Sequence, residues 1–262
     1  MSAQNTLNVC LGHLPFPQTH ERHIDLMIAP RLIAGPTRLA LVDDSSFGPH
    51  GSALSEYVQL LWLLERLDGI AAGCEYVRIS HYRRFVSPES PPVGQAPSNL
   101  PWATTLRAED LDAFASAFPR TCTTELFNTP VQGHGGMLFQ YAQSHVLEDM
   151  LNFAKFLLEK DILGALDIAE FLAAQIHIPS CNIGTFRIES YKAIFGTLRR
   201  AAEFLDSPYF VPRPGYQRRS VGFLLERLNS FLIVKRIQSG RSPSSFGHNL
   251  VISDGLVVSG TQ

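Results

Sequence analysis

The chain has 262 residues, 45% of them hydrophobic and 18% charged, which is enough to bury a substantial core in one large domain or two small ones. A formal net charge of −2 excludes bulk attraction to nucleic acid or to an anionic membrane, so any anion site must be local. The four cysteines (Cys10, Cys74, Cys122, Cys181) form no C-x-x-C pair and no zinc spacing, no basic stretch precedes an apolar run at the start, and no segment reaches the ~18 apolar residues of a membrane span. Reduced thiols in a cytoplasmic protein are the expectation.

In chain order, Leu39 to Val42 is a short apolar run that reads as a buried strand ending at Asp43-Asp44. The turn-rich segment Ser45 to Gly51 follows, then a helix in which Ala53, Tyr57, Leu60, Leu64 and Leu67 recur at three or four residues. Ser52 could cap it, Ser55 and Glu56 fall in its first turn, and Asp68-Gly69 ends it. Val77 and Ile79 then alternate with Arg78 and Ser80 as a strand that stops in His81-Tyr82-Arg83-Arg84. Strand, helix, strand predicts a βαβ unit with parallel strands.

The segment Ser87 to Pro101, rich in proline and serine, predicts a surface loop or a lid over a site. Helices are predicted from His145 to Lys160, from Asp161 to Gln175, from Glu189 to about Leu205 and from about Arg219 to Arg236, with a strand over Cys181 to Ile188. His134 lies in a Gly-rich loop. The tail Leu250 to Val258 carries Asp254-Gly255 between two β-rich runs, a hairpin signal. The expected fold class is α/β, with a mostly parallel central sheet flanked by helices and a C-terminal β-hairpin. Residues 1–236 form the main domain and 237–262 a tail.

Ligands of such sheets sit beyond the carboxyl ends of the parallel strands, where His81-Tyr82-Arg83-Arg84 and Asp43-Asp44 both fall. Arg83 and Arg84 offer planar forks that match phosphate oxygens in pairs, His81 can donate to an anion or exchange a proton, and Tyr82 can stack on a base or sugar. The same residues would also serve as a core edge with two surface ion pairs, and local composition does not separate these readings.

Four ordered stretches resemble a family of bacterial proteins from capsular and surface-polysaccharide gene clusters. It is a domain of unknown function grouped with the GT-A (Rossmann-like) type of glycosyltransferase. They are Ser55-Glu56-Tyr57-Val58-Gln59-Leu60-Leu61-Trp62, Ile79-Ser80-His81-Tyr82-Arg83-Arg84-Phe85, Gln140-Tyr141-Ala142-Gln143-Ser144-His145-Val146-Leu147-Glu148-Asp149 and Gly222-Phe223-Leu224-Leu225-Glu226-Arg227-Leu228-Asn229. The second is similar to the family's His-Tyr-Arg-Arg strand end. The third has Val146 where the family has a second histidine, and Trp62 is followed by Leu63-Leu64-Glu65-Arg66 rather than the family's Trp-x-Trp-Lys-Asn. The N-terminal match is limited to His13 near Pro15 and an element from Ile24 to Ile28.

The resemblance implies transfer of a sugar from a nucleotide-activated donor to a glycan or lipid-linked acceptor in surface polysaccharide biosynthesis. The alternative is a non-catalytic sugar-nucleotide or glycan-binding partner in an assembly complex. It implies His81, Tyr82, Arg83, Arg84, Asp43, Asp44, Glu56, Asn182 and Arg227 around the donor, with Glu148, Asp149, Glu226 and His145 as candidates for catalysis. Arginines rather than a metal are expected to neutralise the leaving diphosphate. Asp43-Asp44 is the competing site, for a divalent cation (Mg or Mn) or a ribose. Each acid also has a plain reading, as a first-turn charge at Glu148 and Asp149 and as an ion pair at Glu226. The expected location is the cytoplasm or the inner face of the membrane, with peripheral or complex-bound association.

Overall fold

The computed structural model describes residues 5–14, 24–33, 38–42, 46–89, 102–107, 122–240 and 244–253. Strands β1 (Thr6–Leu11), β2 (Leu26–Ala29), β3 (Leu39–Leu41) and β4 (Tyr76–His81) are mutually parallel in the order β4-β1-β2-β3. Strands β1, β2 and β4 are largely buried on both faces, as parallel strands covered by helices require, and β3 is half-buried. The carboxyl ends of β1 and β4 lie level, with Leu11 opposite His81. The predicted strands at residues 39–42 and 77–80 and the element at 24–28 are present. However, β3 and β4 do not pair directly, because β1 and β2 lie between them.

The sheet is mixed, which corrects the expectation of a mostly parallel one. After β4 the chain reverses through Tyr82 and Arg83 into β5 (Arg84–Ser87), so that His81 and Arg84 face each other across an antiparallel pair. A two-residue connection permits only this antiparallel return. Strands β6 (Ala103–Arg107), β7 (Glu125–Asn128), β10 (Gly184–Arg187) and β11 (Ser244–Ser253) extend the sheet. The pairings β4–β5, β5–β11, β11–β7, β7–β10 and β10–β4 close a ring of five strands. Leu250 to Ile252, the first half of the predicted hairpin, lie in β11; Asp254-Gly255 and the return strand fall outside the described residues, as does most of the proline-rich segment 87–101. A separate pair joins β8 (Val131–Gln132) to β9 (Ile176–His177).

The predicted helix over 53–67 is two helices, α1 (Gly51–Leu54) and α2 (Tyr57–Ile70). They are followed by α3 (Gly136–Ala142), α4 (Leu147–Glu159), α5 (Ala165–Ala173), α6 (Ile188–Ala202) and α7 (Ser220–Gln238). Helices α2, α6 and α7 share one large core with the sheet, in which Tyr191 stacks on Phe195 at 4.1 Å and donates to Leu60 O at 2.7 Å. Among the described residues no helix is long and apolar enough to cross a membrane.

Candidate active site

The β4–β5 turn supplies the first wall of the site. Tyr82 is buried among Cys10, Met27, Ala29 and Ile33, so it anchors the turn rather than facing a ligand. Its hydroxyl lies 3.4 Å from His13 Nε2, and its ring lies 4.4 Å from that of His81. This fixed ring carries the Arg83 guanidinium 5.3 Å above it. Arg83, Arg84 and His81 line a cavity of about 370 Å³. Among the described residues neither arginine forms an ion pair with a carboxylate, and Arg84 Nε is buried without a hydrogen-bond partner. Burial, and then the neighbouring Arg83, lower the Arg84 pKa. Glu56 and Glu226, in the same lining, attract Arg84 without pairing with it, so two adjacent guanidinium forks remain open to an anion.

The break between α1 and α2 supplies the facing wall. Ser55 sits at φ 56°, in the left-handed region that a non-glycine residue adopts at a cost of ~1–3 kcal/mol. This bend stops the helix and turns Ser55 and Glu56 into the cavity. The start of α7 packs onto the bend through Gly222, where a Cβ would meet Leu54 O at 3.0 Å. Arg219, one turn earlier, donates to Ser55 Oγ at 2.6 Å and lies 3.3 Å from Glu56 Oε2.

Glu56 Oε1 lies 3.7 Å from His81 Nε2, and neither ring nitrogen of His81 has a hydrogen-bond partner among the described residues. Burial pushes the Glu56 carboxyl upward, but the Ser55 hydroxyl and Arg219, joined by His81 when that ring carries a proton, outweigh it and hold the acid below the usual carboxylate range. Burial dominates at His81, against the attraction of Glu56, and holds the imidazole neutral, down to about 3. At neutral pH the site therefore presents a carboxylate beside a neutral imidazole and an arginine pair.

Helix α7 closes the third side with Phe223 and Glu226, and Tyr216 lies 5.0 Å from the Phe223 ring. Glu226 has a side chain 40% exposed and lies 3.3 Å from Arg227 Nη1. Ser180 and Asn182, before β10, complete the lining. A second cavity of about 570 Å³ opens beyond the ends of β1, β2 and β3, against His13, Pro30 and Val42. Four residues, His13, Ser55, Glu56 and Arg219, line both cavities and form the partition between them.

Of the residues singled out in the sequence, the fold thus brings His81, Arg83, Arg84, Glu56, Asn182 and Glu226 to one cavity. Tyr82 supports it from behind. Arg227 lines an adjoining cavity instead. His145, Glu148 and Asp149 lie at and before the start of α4 and do not line this space. Arg213 donates to Asp149 Oδ1 through Nε at 3.1 Å and Nη2 at 2.8 Å, and to Glu148 Oε2 at 3.1 Å. His145 stacks on Phe223 at 4.2 Å, hydrogen-bonds Gln217 at 3.2 Å, and burial lowers its pKa to about 4. Asp43 and Asp44 lie outside the described residues. Among the described residues no group of three His, Cys, Asp or Glu side chains is placed to hold a metal ion.

Sequence reasoning gave no site role to His13, Ser55, Ser180, Tyr216 or Arg219. His13 stood only as a partial family match. Ser55 read as an ordinary first-turn residue, because a left-handed serine leaves no pattern in a sequence. Arg219 read as the first residue of a helix.

No family model matches the chain, and no curated sequence does. Among solved structures it is similar to WbbM, a bifunctional glycosyltransferase determined in its apo form, with a TM-score of 0.69 over 95% of this chain. It shares a glycosyltransferase's fold. The two sequences are 12% identical, and the chain spans about half the length of WbbM, 46% of it. The mixed α/β architecture is therefore the common property.

Proposed function

We propose that the chain is a glycosyltransferase that moves a sugar from a nucleotide-activated donor to a glycan or lipid-linked acceptor, as in surface-polysaccharide biosynthesis. The observation that carries this reading is the pair Arg83 and Arg84, lining a cavity without carboxylate partners, in a fold shared with a glycosyltransferase. The diphosphate of the donor lies against these guanidinium groups, with His81 as a further hydrogen-bond donor to it. Glu226 faces the same space from α7 and takes the role of base. In an inverting transfer the acceptor oxygen forms a bond to the anomeric carbon and its proton passes to Glu226. The bond from that carbon to the diphosphate oxygen breaks, and its electron pair leaves with the diphosphate. The new negative charge develops against Arg83 and Arg84, which stabilise it without reorganising because Tyr82 already fixes their turn.

The test is a melting series with UDP, GDP and CMP, followed by a hydrolysis screen over a panel of sugar nucleotides. At least one nucleotide should raise the melting temperature, its sugar conjugate should be slowly hydrolysed, and Arg83→Ala with Arg84→Ala should abolish both effects. A shift that survives the double substitution removes the anion site from this turn. A shift without hydrolysis of any sugar nucleotide identifies a binding protein instead of an enzyme.

A further inference from the structure

We infer that the acceptor is an oligosaccharide, held by a subsite in which one of its sugar rings packs on Trp102 while the reacting sugar reaches Glu226. This rests on the reading of the arginine cavity as the donor site. A smaller cavity of about 140 Å³ adjoins that site, and Ser180 and Glu226 line both, so Glu226 stands at the junction. Its remaining walls come from Trp102 before β6, Met137 and Gln140 in α3, the segment from His177 to Pro179, and Arg227 and Ser230 in α7.

The chemistry of this lining selects the class of ligand. A sugar ring has an apolar face of C–H groups and a rim of hydroxyls. It therefore requires an aromatic or aliphatic surface on one side and planar hydrogen-bonding groups at the edge. Trp102, Met137 and Pro179 give the first; Gln140, Arg227 and Ser230 give the second. Arg227 is held firmly: Nε donates to Gln140 Oε1 at 3.1 Å, Nη1 donates to Phe223 O at 3.2 Å, and the guanidinium lies 5.6 Å above the Tyr141 ring. Among the described residues Nη2 of Arg227 and Nε2 of Gln140 make no hydrogen bond, so two oriented donors remain on a preorganised frame. An acyl chain would strand these polar groups. A polyhydroxylated ring matches both the apolar and the polar part of the lining.

The experiment is calorimetric binding of the full chain to a panel of hexose disaccharides of differing linkage and to their component monosaccharides. At least one disaccharide should bind about ten-fold more tightly than either component. Trp102→Ala should erase that advantage, and Trp102→Phe, which keeps an aromatic face, should restore most of it. Circular dichroism confirms that each variant is folded. The inference is overturned if no disaccharide in the panel gains over its components, or if the alanine variant retains the gain. The nucleotide-dependent melting shift of the unaltered protein reports the donor cavity separately. Disaccharide binding without that shift leaves the subsite standing and removes the donor reading; the shift without a disaccharide advantage removes the subsite alone.

Discussion

Arg219 and Glu56, 163 positions apart in the chain, meet at 3.3 Å on the partition between the two larger cavities. The contact joins the start of α7 to the bend between α1 and α2, and it holds Ser55 as well. Replacing Arg219 by alanine should cost at most ~1 kcal/mol of stability, because its side chain is 42% exposed and the pair is screened. Its effect on ligand binding should be larger. The affinity for whichever nucleotide diphosphate stabilises the protein should fall about ten-fold, since a charged hydrogen-bond donor leaves the partition. Titration of wild type and Arg219→Ala by calorimetry checks this, and equal affinities would exclude Arg219 from the site.

Acid should destabilise the protein well above the range where ordinary carboxylates titrate. His81 titrates at 6.5 when unperturbed and is held to about 3 in the fold. Below pH ~6.5 the unfolded chain thus binds a proton that the folded chain refuses. The stability is full above that value and is lost progressively as the pH falls towards 3. Glu56, whose carboxyl the Ser55 hydroxyl and Arg219 hold below its usual range, adds a further loss once the pH falls below ~4.5. The unfolding free energy measured by urea titration should decline with a slope of up to ~1.4 kcal/mol per pH unit for each group. His81→Gln should lessen the decline above pH ~4.5 but not abolish it, since His145 is also held down by burial. A profile for His81→Gln that superimposes on wild type would mean that the ring titrates in the fold as it does in the unfolded chain.

Asp149 is 5% exposed and accepts two bonds from Arg213, tying α4 to the segment before α7. Asp149→Asn keeps the shape but removes the charge, and it should lower stability by about 2 kcal/mol. Nucleotide-dependent stabilisation should persist, because the side chain does not line the arginine cavity. Thermal melts with and without nucleotide decide between the two roles: a lost shift with stability intact would place Asp149 in the site.

Gly222 allows α7 to approach the α1–α2 bend. A Cβ there would meet Leu54 O at 3.0 Å and Ser55 Cβ at 3.3 Å, and a backbone oxygen cannot swing aside. Gly222→Val should therefore cost about 1–3 kcal/mol and weaken nucleotide binding at the same time, since Ser55 and Glu56 would shift. Denaturant unfolding and the nucleotide melting shift should change together. Loss of stability with unchanged binding would show that the bend is positioned by other contacts.

The sequence by itself determined those features that depend on neighbours along the chain. The apolar periodicity of α4 and α6 marks these helices because a helix repeats every few residues whatever surrounds it, whereas α7 is buried nearly all round and shows no such stripe. The alternation before His81 marks β4, and the abrupt end of that strand in two arginines marks a polar cluster that the fold places on the wall of a cavity. Only the tertiary structure decided how the strands close. β10 pairs with β4 across more than a hundred residues, and β11 enters between β5 and β7, because long-range pairing leaves no local periodicity to read. The same reason hid His13, Ser55 and Arg219. Each looks like an ordinary loop or helix-end residue in its own segment, and becomes part of a site only when the helix break at Ser55 is pressed against α7 beside the end of β1.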